Sequence, residues 1–269
     1  MAALYLTACT TPGAVSKFTA ASQATLASAK PVFADMKRSC LRAVNAREPI
    51  GSLRPQSESN DDCNRIGAQA EQAEDTAETL GAYFAAINSL ASFGTAKAGS
   101  DASALAAKVS SATGQSADAQ KALGSIAQFL TTTLASGYQL KSLERDLSTV
   151  QDNISTVVKA LVSTIQMNYI DQLLADEERK IDVRYREFAR GKSPEILLVL
   201  DDRWNADETA IERRRASARS LIAALNTISK AFVDLAANTH HLNAKEVPSL
   251  LEPYAAQMEA LIPQVQKAY

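Results

Sequence analysis

The feature that most constrains this chain is the recurrence of apolar residues at alternating steps of three and four. Its clearest case is Ile66, Ala70, Ala73, Ala77, Leu80, Phe84, Ile87 and Ala91. That is the heptad spacing of helices packing knobs into holes. Leu105, Val109, Ala112, Ser116, Ala119, Leu123, Ile126 and Leu130 continue the rhythm. Period-2 alternation is nowhere sustained, so sheet is not expected. With 10 Gly and 8 Pro in 269 residues, the turn residues that a β-sandwich needs every 8–12 positions are too few. The expected fold is all-α: an elongated antiparallel bundle of about five to six helices, some long and coiled-coil-like.

The first helix is expected over 14–46, kinked or broken at Pro31, with Leu26, Ala29, Phe33, Met36, Cys40 and Ala43 on its seam. A loop over 47–60 precedes the second helix, which carries the 66–91 seam. A third follows Gly99-Ser100-Asp101 and ends at Gly137. The fourth is expected over 139–189, with Leu140, Leu143, Leu147, Val150, Ile154, Val157, Leu161, Ile165, Tyr169 and Leu173 inward. At 1.5 Å per residue it would be roughly 75 Å long. Gly191 stops it, and Ser193-Pro194-Glu195 opens a brief connecting helix over 196–200. Asn205-Ala206-Asp207-Glu208 resembles a capping box for a fifth helix. The seam of that helix is Ile211, Ala218, Leu221, Leu225, Ile228, Phe232 and Leu235. The last helix starts near Lys245 and uses Val247, Leu251, Tyr254, Met258, Leu261 and Val265.

The tetrapeptide Leu6-Thr7-Ala8-Cys9 resembles the lipobox of bacterial lipoproteins. The resemblance implies diacylglyceration of the Cys9 thiol, cleavage before it and acylation of the new amine. It covers four residues and names a class of exported protein. Residues 1–13 then read as a signal-peptide remnant, lipobox and tether, and 14–269 as a single helical domain. A complete signal has a basic n-region and 7–15 apolar residues, and eight residues precede Cys9. Thr10 in place of the inner-membrane-retaining Asp implies sorting to the outer membrane, facing the periplasm. No stretch is expected to reach the ~18–20 apolar residues of a membrane span.

Cys40 ends one apolar seam and Cys63 opens the next, seven residues before Ala70. In an antiparallel hairpin the two face each other, and a disulfide between them is expected. It would close a loop of about 24 residues, worth about 3 kcal/mol in the chain-entropy picture, and an oxidising periplasm would maintain it. Cys9 is then left for the lipid.

The chain carries 28 basic and 30 acidic residues. It offers no basic body for a phosphate backbone, so nucleic acid is not an expected partner. The histidines, His240 and His241, are adjacent and point about 100° apart on a helix. HExxH, CxxC, Gly-rich phosphate loops and the GxSxG elbow are absent from the sequence. No catalytic residue, metal or cofactor is expected, and an enzyme is disfavoured.

Two charged clusters stand out. Over 176–187, Asp176 with Lys180 and Asp182 with Arg186 form i,i+4 pairs on a solvated face. Around Trp204, the arginines Arg203, Arg213 and Arg214 suggest a surface for a protein partner. The expected function is a non-enzymatic, membrane-anchored periplasmic lipoprotein that scaffolds or binds a partner. The alternatives are a membrane-active, pore-forming-like helical protein and a toxin-neutralising immunity lipoprotein.

Overall fold

A computed structural model describes residues 11–48, 50, 60–91, 117–135, 140–238 and 246–269. Among them every regular element is helical. These are α1 (Thr11–Ala27), α2 (Lys30–Asn45), α3 (Asp61–Ala91), α4 (Ala117–Ala135), α5 (Leu140–Ser163), a π-helix (Thr164–Leu174), α6 (Ala175–Ala189), α7 (Pro194–Asn238) and α8 (Glu246–Gln266). α1 and α2 form one broken rod, and α5, the π-helix and α6 follow one another without a gap. The described residues therefore make six rods, and the all-α bundle is as the spacing predicts. Cys9 and the 105–116 part of the third seam lie outside the described residues, as do His240 and His241.

The break between α1 and α2 falls where Pro31 requires it. Pro31 occupies the first turn of α2, the place where its missing N–H costs nothing. α3 begins under a side-chain cap: Asn60 Oδ1 accepts from the amides of Asp62 and Cys63 at 3.0 and 3.3 Å. That satisfies two of the orphan donors of the first turn. Cys40 and Cys63 are disulfide-bonded, with Cα atoms 5.5 Å apart. The bridge ties the end of α2 to the start of α3, as their seam positions predict.

α8 packs on α7 and α1, α1 on α3, α5 on α4 and α7, and α2 on α3 and α6. The Ala-rich seam of α3, with Ala70, Ala73 and Ala77 buried, lets its neighbours approach closely. Within the core Phe18, Phe84 and Phe232 meet with ring centroids 5.8–6.2 Å apart. Such pairs add about 0.5–1.5 kcal/mol each beyond area burial. They also fix polarity: α1 enters beside the C-terminal part of α7, and the chain then runs along α7 toward its start.

Three expectations are corrected. No break occurs at Asn205, because 194–238 is one helix of 45 residues. Neither Gly nor Pro interrupts residues 201–208, and their helix propensities cost only tenths of a kcal/mol each, so the capping residues remain mid-helix. Secondly, Asp176 pairs with Arg179 at 2.6 Å rather than with Lys180, while Asp182–Arg186 forms at 2.8 Å as expected. Thirdly, α7 has an 18-residue window of mean hydropathy 1.3, so one stretch does approach the apolarity of a span. Its seam residues from Ile211 to Leu235 are buried inside the bundle, as in the central helix of any helical core.

The π-helix has no counterpart in the sequence reading. Its wider i→i+5 turn carries the inward face from Ile165 and Tyr169 to Ile170 and Leu174. The expected seam residue Leu173 is only half-buried. The one-residue shift also turns Glu177 inward.

Candidate functional site: a helical hairpin and the ion network at its root

α6 and α7 form a helical hairpin whose root is set in the bundle. At that root α2 contributes Asp35, Ser39 and Arg42 at i, i+4 and i+7, one stripe of the helix. The π-helix contributes Tyr169, α6 Glu177 and α7 Arg214. Asp35, Glu177 and Arg214 are 3%, 1% and 7% exposed. Charges so buried are tolerated only when paired and hydrogen-bonded, and these are.

Arg42 donates to both oxygens of Asp35 at 3.1 and 2.7 Å, and from Nε to Glu177 at 2.6 Å. Arg214 forks onto Glu177 at 2.9 and 2.8 Å and reaches Asp35 at 3.2 Å. Ser39 donates to Glu177 at 2.6 Å, and Tyr169 donates to Asp35 at 2.7 Å. The Tyr169 and Tyr269 hydroxyls are 2.9 Å apart, so the last residue of the chain closes the network. Arg38 Nε also lies 3.4 Å from Asp35, so three guanidinium groups stand against two carboxylates. Burial pushes the Glu177 carboxyl above its usual range, against the attraction of Arg42. Burial, reinforced by Tyr269 and Asp35, holds the Tyr169 hydroxyl protonated far above the ordinary tyrosine range.

With Asp35, Glu177 and Arg214 hydrogen-bonded inside it, the network acts as a clamp. It fixes α6 and α7 to α2 and sets the direction in which the hairpin leaves the bundle. Among the described residues no group of three or more His, Cys, Asp or Glu is gathered as a metal site.

Beyond the root the hairpin continues through Arg215–Glu178 at 2.7 Å and Tyr185–Asp207 at 2.9 Å. These cross-hairpin pairs advance at equal pace on the two helices. Ala189, the last residue of α6, therefore comes level with about Arg203. Arg190 leaves the helix with extended backbone (ψ 123°), and Gly191 turns at φ +69°, a conformation that costs an L side chain about 1–2 kcal/mol. α7 starts only at Pro194. Its first residues, 194–202, extend beyond the level at which α6 ends. All of 190–199 is exposed, including Ile196, Leu197, Leu198 and Val199, the last two at 68% each.

Of the residues expected to form a partner surface, Arg203 and Arg213 are exposed. Arg203 lies 4.0 Å from Asp207. Trp204 is half-buried and packs against the hydrophobic cluster. It borders an open groove whose other walls include Glu178, Arg179, Asp182, Arg186 and Glu208, and its buried Nε1 has no hydrogen-bond partner. Arg214 corrects the expectation: it faces inward as the centre of the ion network and belongs to no surface. The reason is register. Ile211, Arg214 and Ala218 follow the same three-and-four steps, so Arg214 occupies a seam position of α7.

Tyr169 was expected on an inward seam and Glu177 in a solvated run, which its burial corrects, while Asp35, Ser39, Arg42 and Tyr269 carried no expectation. Two signals for them were present, the polar stripe 35-39-42 beside an apolar one and the arginine standing on a seam. No family model, no curated protein and no solved structure matches the chain.

Proposed function

We propose that this chain is a non-enzymatic, membrane-anchored periplasmic lipoprotein that scaffolds or binds a partner in the bacterial cell envelope, with the α6–α7 hairpin as its binding arm. The observation that carries the reading is the hairpin's overhanging end. Four consecutive large apolar residues there are exposed, Leu198 and Val199 most and Ile196 and Leu197 in part, on an arm clamped at its root by buried ion pairs. Helix that is apolar on every side is ordinarily covered, and an exposed apolar patch marks an interaction site.

The envelope part of the reading is supported by the cysteines. The Cys40–Cys63 bridge suits an oxidising compartment, and it leaves Cys9 for the lipid in Leu6-Thr7-Ala8-Cys9. Sorting by Thr10 would place the anchor in the outer membrane.

Labelled palmitate supplied to an expressing bacterium tests the anchor. Label is expected on the wild-type chain in the membrane fraction and not on Cys9→Ser. A native protein that retains Met1 and carries no added lipid mass would overturn the anchor.

The exposed apolar run also favours a second reading, that the chain is membrane-active. Dye release from liposomes by the unacylated protein, lost in Leu198→Asp, would support that reading over the first.

A further inference from the structure

The groove beside Trp204 carries one charge that nothing among the described residues offsets. The four charged residues that line it from α6 are all engaged. Arg215 holds Glu178 at 2.7 Å, Asp176 holds Arg179 at 2.6 Å, and Asp182 and Arg186 hold each other at 2.8 Å. From α7 the groove is lined by Trp204 and Glu208, four residues apart and so on one face of the helix. Glu208 forms no ion pair or hydrogen bond among the described residues. Resting on the reading of the hairpin as a binding arm, we infer that this groove takes a lysine side chain of a protein partner, its ammonium at Glu208 and its apolar stem against Trp204.

The sign of the ligand follows from the pairing. An anion would have to draw Arg179 or Arg186 away from its own carboxylate, and it would meet the Glu208 charge. A cation displaces nothing. The apolar half of the ligand follows from Trp204, whose Nε1 is buried while the residue is only half-buried. The surface that it offers is therefore ring carbon. A cation beside a carboxylate and an indole is attracted by both, the negative face of the ring adding to the carboxylate. Lysine suits the pair because its long stem lies along apolar surface while its charged head stays in a wet place.

Both groups are held ready. Trp204 packs against the hydrophobic cluster, and the Arg215–Glu178 pair fixes α6 beside α7 at this level. The groove has a volume of about 340 Å³, near the lower end for ligand sites, so it has room for a side chain and not for a further helix. Trp204 is also six residues from Leu198, about 9 Å along the helix. A partner seated on the exposed start of α7 can reach the groove with one residue.

The probe is n-butylammonium, the lysine side chain without its backbone, and the reporter is the chain's single tryptophan. In the full chain carrying Cys9→Ser, butylammonium should change Trp204 emission saturably. The half-point should be millimolar, as suits one exposed ion pair and one ring contact. Butyrate at the same ionic strength should leave the emission unchanged. Glu208→Gln should raise the half-point about three- to fivefold, and Glu259→Gln, exposed on α8, should not move it. No described partner is lost in Glu208→Gln, so that variant should keep the helical circular dichroism signal. Proton spectra of butylammonium give a second readout. Its methylenes should shift upfield on binding, as protons over an aromatic ring do, and less at the same concentration with Glu208→Gln. No saturable change in either signal overturns the inference, and so does an equal response to butyrate or an unchanged half-point in Glu208→Gln. A micromolar half-point for spermidine would overturn it too, by assigning the groove to a free polyamine. None of these outcomes changes palmitate labelling at Cys9 or the exposed run at Leu198, so the groove and the reading on which it rests fail separately.

Discussion

Arg214 of α7 forks onto Glu177 of α6, its two terminal nitrogens 2.9 and 2.8 Å from the two carboxylate oxygens. This bidentate pair is the point where the projecting hairpin is fastened to the bundle. Removing one partner strands the other charge in the core. Arg214→Met should therefore destabilise the protein by about 3–5 kcal/mol in urea denaturation. The apolar double variant Arg214→Met/Glu177→Leu should recover much of that loss, because it removes both desolvation costs. A single variant within 1 kcal/mol of wild type would mean that the pair does not hold the root.

The disulfide is the second fastening. Reduction, or Cys40→Ala/Cys63→Ala, should lower unfolding stability by about 3 kcal/mol, the entropy regained by opening the loop in the unfolded chain. Thermal melts with and without reductant measure it. No shift in midpoint on reduction would argue against the bridge.

The tyrosines set the alkaline limit. Burial alone raises Tyr83, and burial first raises Tyr169, Tyr185 and Tyr269. A hydrogen bond to Asp234, with lesser burial, pushes Tyr254 up to about 12. These groups bind protons more tightly folded than unfolded, so their contribution is fully present below about pH 10, the ordinary tyrosine value. It is lost as pH rises through the folded values, for Tyr254 between about 10 and about 12. Stability should fall steeply across that window. A tyrosinate absorbance titration should show most of the seven tyrosines ionising late, together with loss of helix. Tyr254→Phe should remove part of the pH dependence. Five normal titrations near pH 10 in a still-folded protein would contradict these environments.

Gly191 makes the turn of the hairpin at φ +69° with nothing within 4 Å of the place a Cβ would occupy. The cost of substitution is thus conformational and not steric. Gly191→Ala should destabilise by about 1 kcal/mol, and Gly191→Val by more, β-branched residues being worse at positive φ. Gly191→Asn should be the mildest. Equal stability of the alanine and asparagine variants would indicate that the turn relaxes to another conformation.

Much of the architecture was legible in particular residues. The 66–91 seam identified α3, Pro31 located the break between α1 and α2, Gly191 located the turn, and Cys40 with Cys63 named the staple. These readings succeed because helical period, proline's missing donor and glycine's freedom are local properties. The continuation of α7 through Asn205 was not legible, since a capping box works only where the chain bends, and packing decides whether it bends.

The residues of the root network were individually visible and collectively hidden. Asp35, Tyr169, Glu177, Arg214 and Tyr269 are spread over more than two hundred positions, and a charged side chain alone in a sequence reads as solvated. By itself the sequence determined that water would drive apolar stripes together into a helical bundle, because spacing along a helix is all that this requires. Only the tertiary structure decided which polar residues were carried inward, through the one-residue shift of the π-helix and the register of α7. Only it decided, too, that the apolar start of α7 would be left uncovered, because that depends on where α6 ends beside it.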